Sequence, residues 1–315
     1  MSAVFKPGVR YRMPSVFGPA PGPRQKSDGT PWKADETGTM NAQWMTITYL
    51  TDAKKLEALL PPGFELRGEP VLGVNFAFFN NLYWLAGRGY GIIEIGFPVT
   101  YTGKSEVIEG TFTPILWEGC ADAIITGRDE LGFPKILADI PPMTWDKETG
   151  STSAQASWFG HQFLEFALEG LQETTEGPKN LPAANGPPMF FKYVPRSSVF
   201  GREGTDVAYV TTPKAIPGSG ETVSSIDFDV YNFRKWKGTG GKVQWHKATF
   251  EQQPTTFHIV NGMADLDIIE YRSFEMIEFS GPGIGISANA MRAVEPAATL
   301  DLKLKPQSAS KAKIA

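Results

Sequence analysis

A single cysteine, Cys120, excludes an internal disulfide and is compatible with a reducing compartment. Histidine is nearly as scarce. His161, His246 and His258 show no metal-ligand spacing, so neither zinc nor another bound metal is expected, and they read as structural residues. No run of about eighteen apolar residues occurs, which argues against a membrane-spanning helix. Met1 to Arg12 lacks the apolar core of a secretion signal, so a cytoplasmic location is expected. The net charge of -4 gives no electrostatic reason to expect a nucleic-acid partner. Gly87-Arg-Gly-Tyr-Gly91 and Gly281-Pro-Gly-Ile-Gly285 lack the strand-to-helix context of a phosphate loop, so they read as turns and no nucleotide cofactor is expected.

What the chain does have is a balance suited to strands. Its 315 residues include 33 glycines and 25 prolines, 12% are aromatic, and only 20% are charged. Many strands joined by tight turns fit that balance better than a helical bundle. The first forty residues carry Pro7, Pro14, Pro19, Pro21, Pro23 and Pro31 with no hydrophobic period. They read as an extended arm, with Met13, Val16, Phe17 and Trp32 available to pack on the body or a neighbouring subunit. Residues 41–302 read as one β domain, and the lysine-rich 303–315 as a mobile tail.

Within that domain, strands are predicted at Trp44–Leu50, Val71–Phe79, Gly91–Thr100, Thr111–Trp117, Ala121–Thr126, Thr152–Phe159 and Met189–Val194. Others are predicted at Val207–Thr212, Ser224–Asn232, Lys242–Phe250, Thr256–Val260 and Leu266–Phe279. Turns are expected at Pro217–Gly220 and Gly238–Gly241. Helices are predicted at Ala53–Leu60, capped by Thr51 or Asp52, and at about His161–Gln172, where Phe163, Phe166, Ala167 and Leu171 suggest one apolar face. The resulting fold class is mainly β, a mostly antiparallel sheet closed or nearly closed into a barrel with a few short helices.

Chemistry concentrates around Lys135, flanked by Phe133, Pro134, Ile136 and Leu137. Such a lysine is expected to lose hydration, which disfavours its ammonium form. The magnitude matters, because a free lysine is neutral in only about one molecule in 2,500 at pH 7. Shifting that balance by about three pH units requires about 4 kcal/mol of differential solvation, which a dry interior can supply and a surface loop cannot. A neutral amine attacks a ketone, and the resulting iminium is an electron sink for breaking a neighbouring C–C bond.

Gly127-Arg-Asp129 followed by Gly132-Phe-Pro-Lys135 resembles the GRE…YPK signature of the acetoacetate decarboxylase family, whose lysine after the proline is the Schiff-base nucleophile. Tyr49–Asp52 with Pro61-Pro62, Gly91–Gly96 and Met189–Pro195 resemble further family segments in matching order. The resemblance implies a cofactor-independent carbon–carbon lyase acting on a small keto acid. It also implies an antiparallel β-cone fold, homo-oligomerisation, Lys135 as nucleophile and Glu94 as the pocket carboxylate. Three positions depart from the family pattern: Ile136 replaces a second lysine, the position of a pocket arginine falls near Ala42, and Ala77 replaces a second glutamate. Decarboxylation of a 3-oxo acid, aldol condensation–dehydration through the same lysine, and non-catalytic carriage of a small molecule all remain open.

Glu94 lies in the apolar run Ile92-Ile-Glu-Ile95, as a general acid/base or as a rim carboxylate. Arg128 suits a substrate carboxylate, or a structural pairing with Asp129, Glu130 or Glu118. Phe133 flanks the nucleophile as a candidate substrate contact. Tyr271 and Trp245 are candidates to line the barrel mouth, or are simply core.

Overall fold

The computed structural model describes residues 5–177, 186–197, 204–214, 230–283 and 291–295. Its strands are β1 (Thr39–Leu50), β2 (Phe64–Leu66), β3 (Val71–Asn80), β4 (Tyr90–Thr102), β5 (Val107–Phe112), β6 (Leu116–Glu118), β7 (Lys135–Leu137), β8 (Thr144–Asp146) and β9 (Ser151–Trp158). They continue as β10 (His161–Glu169), β11 (Gln172–Thr174), β12 (Pro188–Pro195), β13 (Thr205–Pro213), β14 (Tyr231–Lys237), β15 (Gly240–Trp245), β16 (Glu270–Pro282) and β17 (Met291–Val294). Four short α-helices accompany them: α1 (Ala34–Thr37), α2 (Ala53–Glu57), α3 (Ala121–Thr126) and α4 (Phe257–Ala264). The chain is mainly β, as its composition implies.

Two sheets form the body. The longer has 13 strands along the path β11-β14-β16-β1-β3-β4-β5-β12-β13-β17, with β2 and β6 attached to β4 and β7 attached to β6. The shorter runs β15-β10-β9-β8. Among the described residues neither sheet closes, so the expected barrel is replaced by two open sheets packed face to face. The long sheet is also mixed, because β5 pairs with β12 and β6 with β7 in parallel. Alternation accounts for the packing: Met45, Ile47, Val74, Phe76, Ile93 and Ile95 point to one face and are buried against Phe163, Leu164, Phe166 and Trp245 of the shorter sheet.

Three segments exchange helix for strand relative to expectation. His161–Glu169 is a strand: Leu164, Phe166 and Leu168 are buried at period two, and an irregularity at Gln162/Leu164 also turns Phe163 inward. Its Leu, Glu and Ala content favours helix locally, but pairing with β9 and β15 overrides that preference. Ala121–Thr126 and Phe257–Ala264 are helices despite their β-branched residues, since short apolar runs do not distinguish the two states. Two predicted strands are shortened. Thr111–Trp117 is interrupted around Pro114, which lacks an amide donor, and regular pairing of the Lys242–Phe250 segment stops at Trp245.

The other boundaries follow familiar physics. Asp52 caps α2, its Oδ1 accepting from the Lys55 amide at 2.9 Å. No helix of the described residues is long and apolar enough to cross a membrane. The predicted turn at 217–220, most of the predicted strand at 224–232 and the 303–315 tail lie outside the described residues.

Candidate active site

The helix at Ala121–Thr126 explains how Lys135 reaches the sheet. Parallel neighbours need a crossover connection, and the chain leaves β6, runs through α3 and a π-helical turn at Gly127–Leu131, and returns as β7 beside β6. Gly132, at φ 82°, ends the turn in a left-handed conformation that favours glycine. Gly127 serves a different need, at an ordinary φ of -68°. A Cβ there would stand 2.6 Å from Lys135 Cδ and Cε and 2.7 Å from Nζ, so the bare backbone makes room for the lysine.

Sheet register collects the polar groups. Glu94 is opposite Leu116, and Leu116 is opposite Lys135, so all three share one face. Glu118, two residues beyond Leu116, projects from that same face, whereas Trp117 between them packs into the opposite core against Phe163 and Trp245. Lys135 is 7% exposed and Glu118 is fully buried. Glu118 Oε1 lies 2.7 Å from Lys135 Nζ. Beyond this contact with Lys135, neither Glu118 oxygen has a hydrogen-bond partner. The pair is therefore a buried ion pair whose remaining lone pairs are unsatisfied. Nζ also donates to the Ala123 carbonyl at 3.4 Å and sits 5.2 Å from the centre of the Phe133 ring.

Both carboxyls resist ionisation. Desolvation pushes the Glu94 carboxyl up to about 7, although a hydrogen bond from Thr113 Oγ1 at 3.2 Å and the Lys135 charge pull the other way. Glu118 is also raised, chiefly by desolvation, with neighbouring Lys135 opposing the shift. Arg128 Nη1 donates to the Lys135 carbonyl at 2.9 Å, so part of its guanidinium holds the backbone that carries Lys135. A cavity of about 300 Å³ is lined by Phe133, Arg128, Phe191, Lys192 and Tyr193 among others, and shares Phe133 with the surroundings of Lys135.

Tyr271 does not join this cluster. It lies on β16, separated from β7 by β1, β3, β4 and β6. Its ring packs on Tyr49 and Phe274 and its hydroxyl accepts from the Val243 amide at 3.3 Å, all within the apolar core. Trp245 likewise packs between the sheets rather than at a mouth.

The sequence matches the family described as acetoacetate decarboxylase (ADC) over residues 18–251, well over half of its length. The chain belongs to the acetoacetate decarboxylase family. Acetoacetate decarboxylase 2 of Mesorhizobium japonicum is 27% identical over 168 residues, covering 49% of this chain and 60% of that relative, so the match spans less than two thirds of the relative's length. A solved acetoacetate decarboxylase superposes with a TM-score of 0.59 at 15% identity, covering 82% of this chain and 89% of the other. The enduracididine biosynthesis enzyme MppR, complexed with pyruvate, superposes with a TM-score of 0.56 at 14% identity, covering 86% and 95%. At these identities the two structures establish a shared fold.

This member of the acetoacetate decarboxylase family has small, buried side chains at two of its three departures. Ala42 and Ala77 are each 2% exposed, and Ala77 faces Trp44 and Ile92 on the Glu94 side of the sheet. Two features of the site escaped sequence reasoning. Glu118 ends the short run Ile115-Leu116-Trp117, and the sequence marks it only as a candidate partner for Arg128. The second is the arm, which lies against the crossover between β6 and β7: Glu130 receives Arg12 Nη1 at 2.5 Å and Arg24 Nε at 2.6 Å, and Arg24 also donates to Thr126 Oγ1. Trp32 packs on Tyr83, whereas Met13, Val16 and Phe17 are exposed.

Proposed function

We propose that this chain is a cofactor-independent lyase that forms an imine between Lys135 and a small keto acid, with decarboxylation of a 3-oxo acid as the reaction. The observation that carries this reading is a buried amine sharing one sheet face with two carboxyls that resist ionisation. The Lys135 amine adds to the ketone and water leaves, giving an iminium. The bond to the carboxylate then breaks, its electron pair enters the enamine, and carbon dioxide departs. Glu94 protonates the enamine carbon, since near pH 7 about half of its population carries a proton. Hydrolysis returns the free amine and the ketone. Entry is by the cavity beside Phe133, where the part of Arg128 not engaged with the backbone meets the substrate carboxylate.

Aldol condensation–dehydration through the same lysine is the second reading. Ala42 and Ala77 favour it, because a pocket without that arginine and glutamate is less suited to acetoacetate. In the test, the purified chain is incubated with acetoacetate or pyruvate, reduced with borohydride and weighed intact. A covalent increment at Lys135, absent from Lys135→Arg, is expected, with carbon dioxide released from acetoacetate. An increment with pyruvate and an aldehyde, without carbon dioxide from 3-oxo acids, selects the aldolase. Binding with no increment across a panel of keto acids selects a carrier and overturns the lyase.

A further inference from the structure

Glu118 is the buried group nearest the nucleophile, and the proposed lyase steps leave it without a task. Imine chemistry poses a proton problem at this spot. Lys135 must shed a proton to attack, and the carbinolamine hydroxyl must gain one to leave as water. Lys135 is 7% exposed, so its amine cannot rely on bulk water for both transfers. The carboxylate 2.7 Å away, fully buried and with no hydrogen-bond partner beyond Lys135, is placed to do both. We propose that Glu118 is the acid–base partner of Lys135, taking the ammonium proton before addition and returning it to the carbinolamine hydroxyl as water departs. This inference rests on the imine reading above.

The step balances within the pair. Ammonium and carboxylate become amine and carboxylic acid, and the amine lone pair forms the C–N bond. The amine proton released on addition goes to the carbonyl oxygen. The Glu118 proton then leaves with the hydroxyl as water, restoring a carboxylate beside the iminium it neutralises. Desolvation favours the neutral pair before attack, since two buried charges are exchanged for two neutral groups. The iminium that follows regains its counter-ion without any atom moving far.

Other titratable groups face the pair. Glu94 and Tyr90 project from β4, with Tyr90 pushed well above its ordinary range by desolvation and by Glu118. Cys120 precedes α3, and Arg24 approaches from the arm and opposes the shift at Tyr90. Arg128 is held on the Lys135 carbonyl. Of these, Glu118 alone is recorded in ion-pair contact with Nζ.

The test is the rate of borohydride trapping with acetoacetate between pH 6 and 10, for the wild type and Glu118→Gln. General acid–base help is typically worth about 10²–10⁴-fold. Trapping by Glu118→Gln is expected to be at least about 10²-fold slower at pH 7, recovering toward pH 10 as hydroxide takes over as the base. A variant that traps at the wild-type rate, or is slowed equally at every pH, overturns the proposal and reduces Glu118 to a positioning role. If Glu118→Gln does not fold, Glu118→Met, which also removes the ionisable group, carries the same test with the same two outcomes. Wild-type protein that traps no keto acid defeats the lyase reading itself. Wild-type trapping with an unaffected variant defeats only the role of Glu118.

Discussion

Lys135 and Glu94 were legible because each is a lone charge in an apolar run, a pattern that proteins tolerate only where the charge is paired or used. Glu118 follows the same rule, but its run, Ile115-Leu116-Trp117, is three residues long and is closed by Gly119 after the acid, too short to set it apart from a loop acid. Tyr271 misled because an aromatic on a strand carries no information about which neighbour it meets across a sheet. Two expectations follow at this scale. Gly127→Ala puts a methyl group onto Lys135 Cδ, Cε and Nζ. Displacing a reacting atom by about 1 Å costs about 10²-fold in rate, so borohydride trapping should fall by that order while circular dichroism stays native. Glu94 gives a pH signature. Its carboxyl is raised in the folded state from an ordinary 4.5 to about 7. Its contribution is therefore fully present below about pH 4.5 and is lost as pH rises through 7, amounting to about 3 kcal/mol at about 1.4 per pH unit. In urea melts, Glu94→Gln should gain on the wild type by up to that amount between pH 4.5 and 8. An unchanging difference would place Glu94 in open water.

At the scale of elements, strands with clean alternation were predictable and short apolar runs were not. Trp44–Leu50 and Val71–Phe79 show period-two burial and lie within β1 and β3. Ala121–Thr126 carries two isoleucines and a threonine yet is helical, because the parallel pairing of β6 with β7 needs a crossover there. That requirement is set by residues on either side of the segment, so no local window contains it. The same crossover depends on the arm. Arg24 and Glu130 are nearly buried, with side chains 4% and 9% exposed, and removing one member of such a pair strands the other. Glu130→Ala should cost about 3–5 kcal/mol. Asp267→Ala, which breaks an exposed pair with Lys55, should cost far less. Thermal melts of the two variants separate these cases. Similar losses from both would mean that the arm does not brace the turn.

Across the whole molecule, the long sheet divides labour between its faces. One face packs on the shorter sheet through Phe76, Phe166, Trp117, Phe163 and Trp245, while the other presents Glu94, Glu118 and Lys135. The closed barrel expected from composition is not needed for dryness, because the crossover, the arm and Phe133 shield the lysine locally. Stability and chemistry should then be separable. Phe166, 1% exposed and 6.4 Å from the Phe76 ring, belongs wholly to the packed face. Phe166→Ala should lose about 3–5 kcal/mol in urea denaturation, the usual cost of an aromatic cavity. At a temperature where the variant remains folded, the pH dependence of its trapping by borohydride should match the wild type, because no titrating group near Lys135 has lost a neighbour. A shifted pH profile would mean that the strain passes through the sheet at Trp117, so that the two faces behave as one unit.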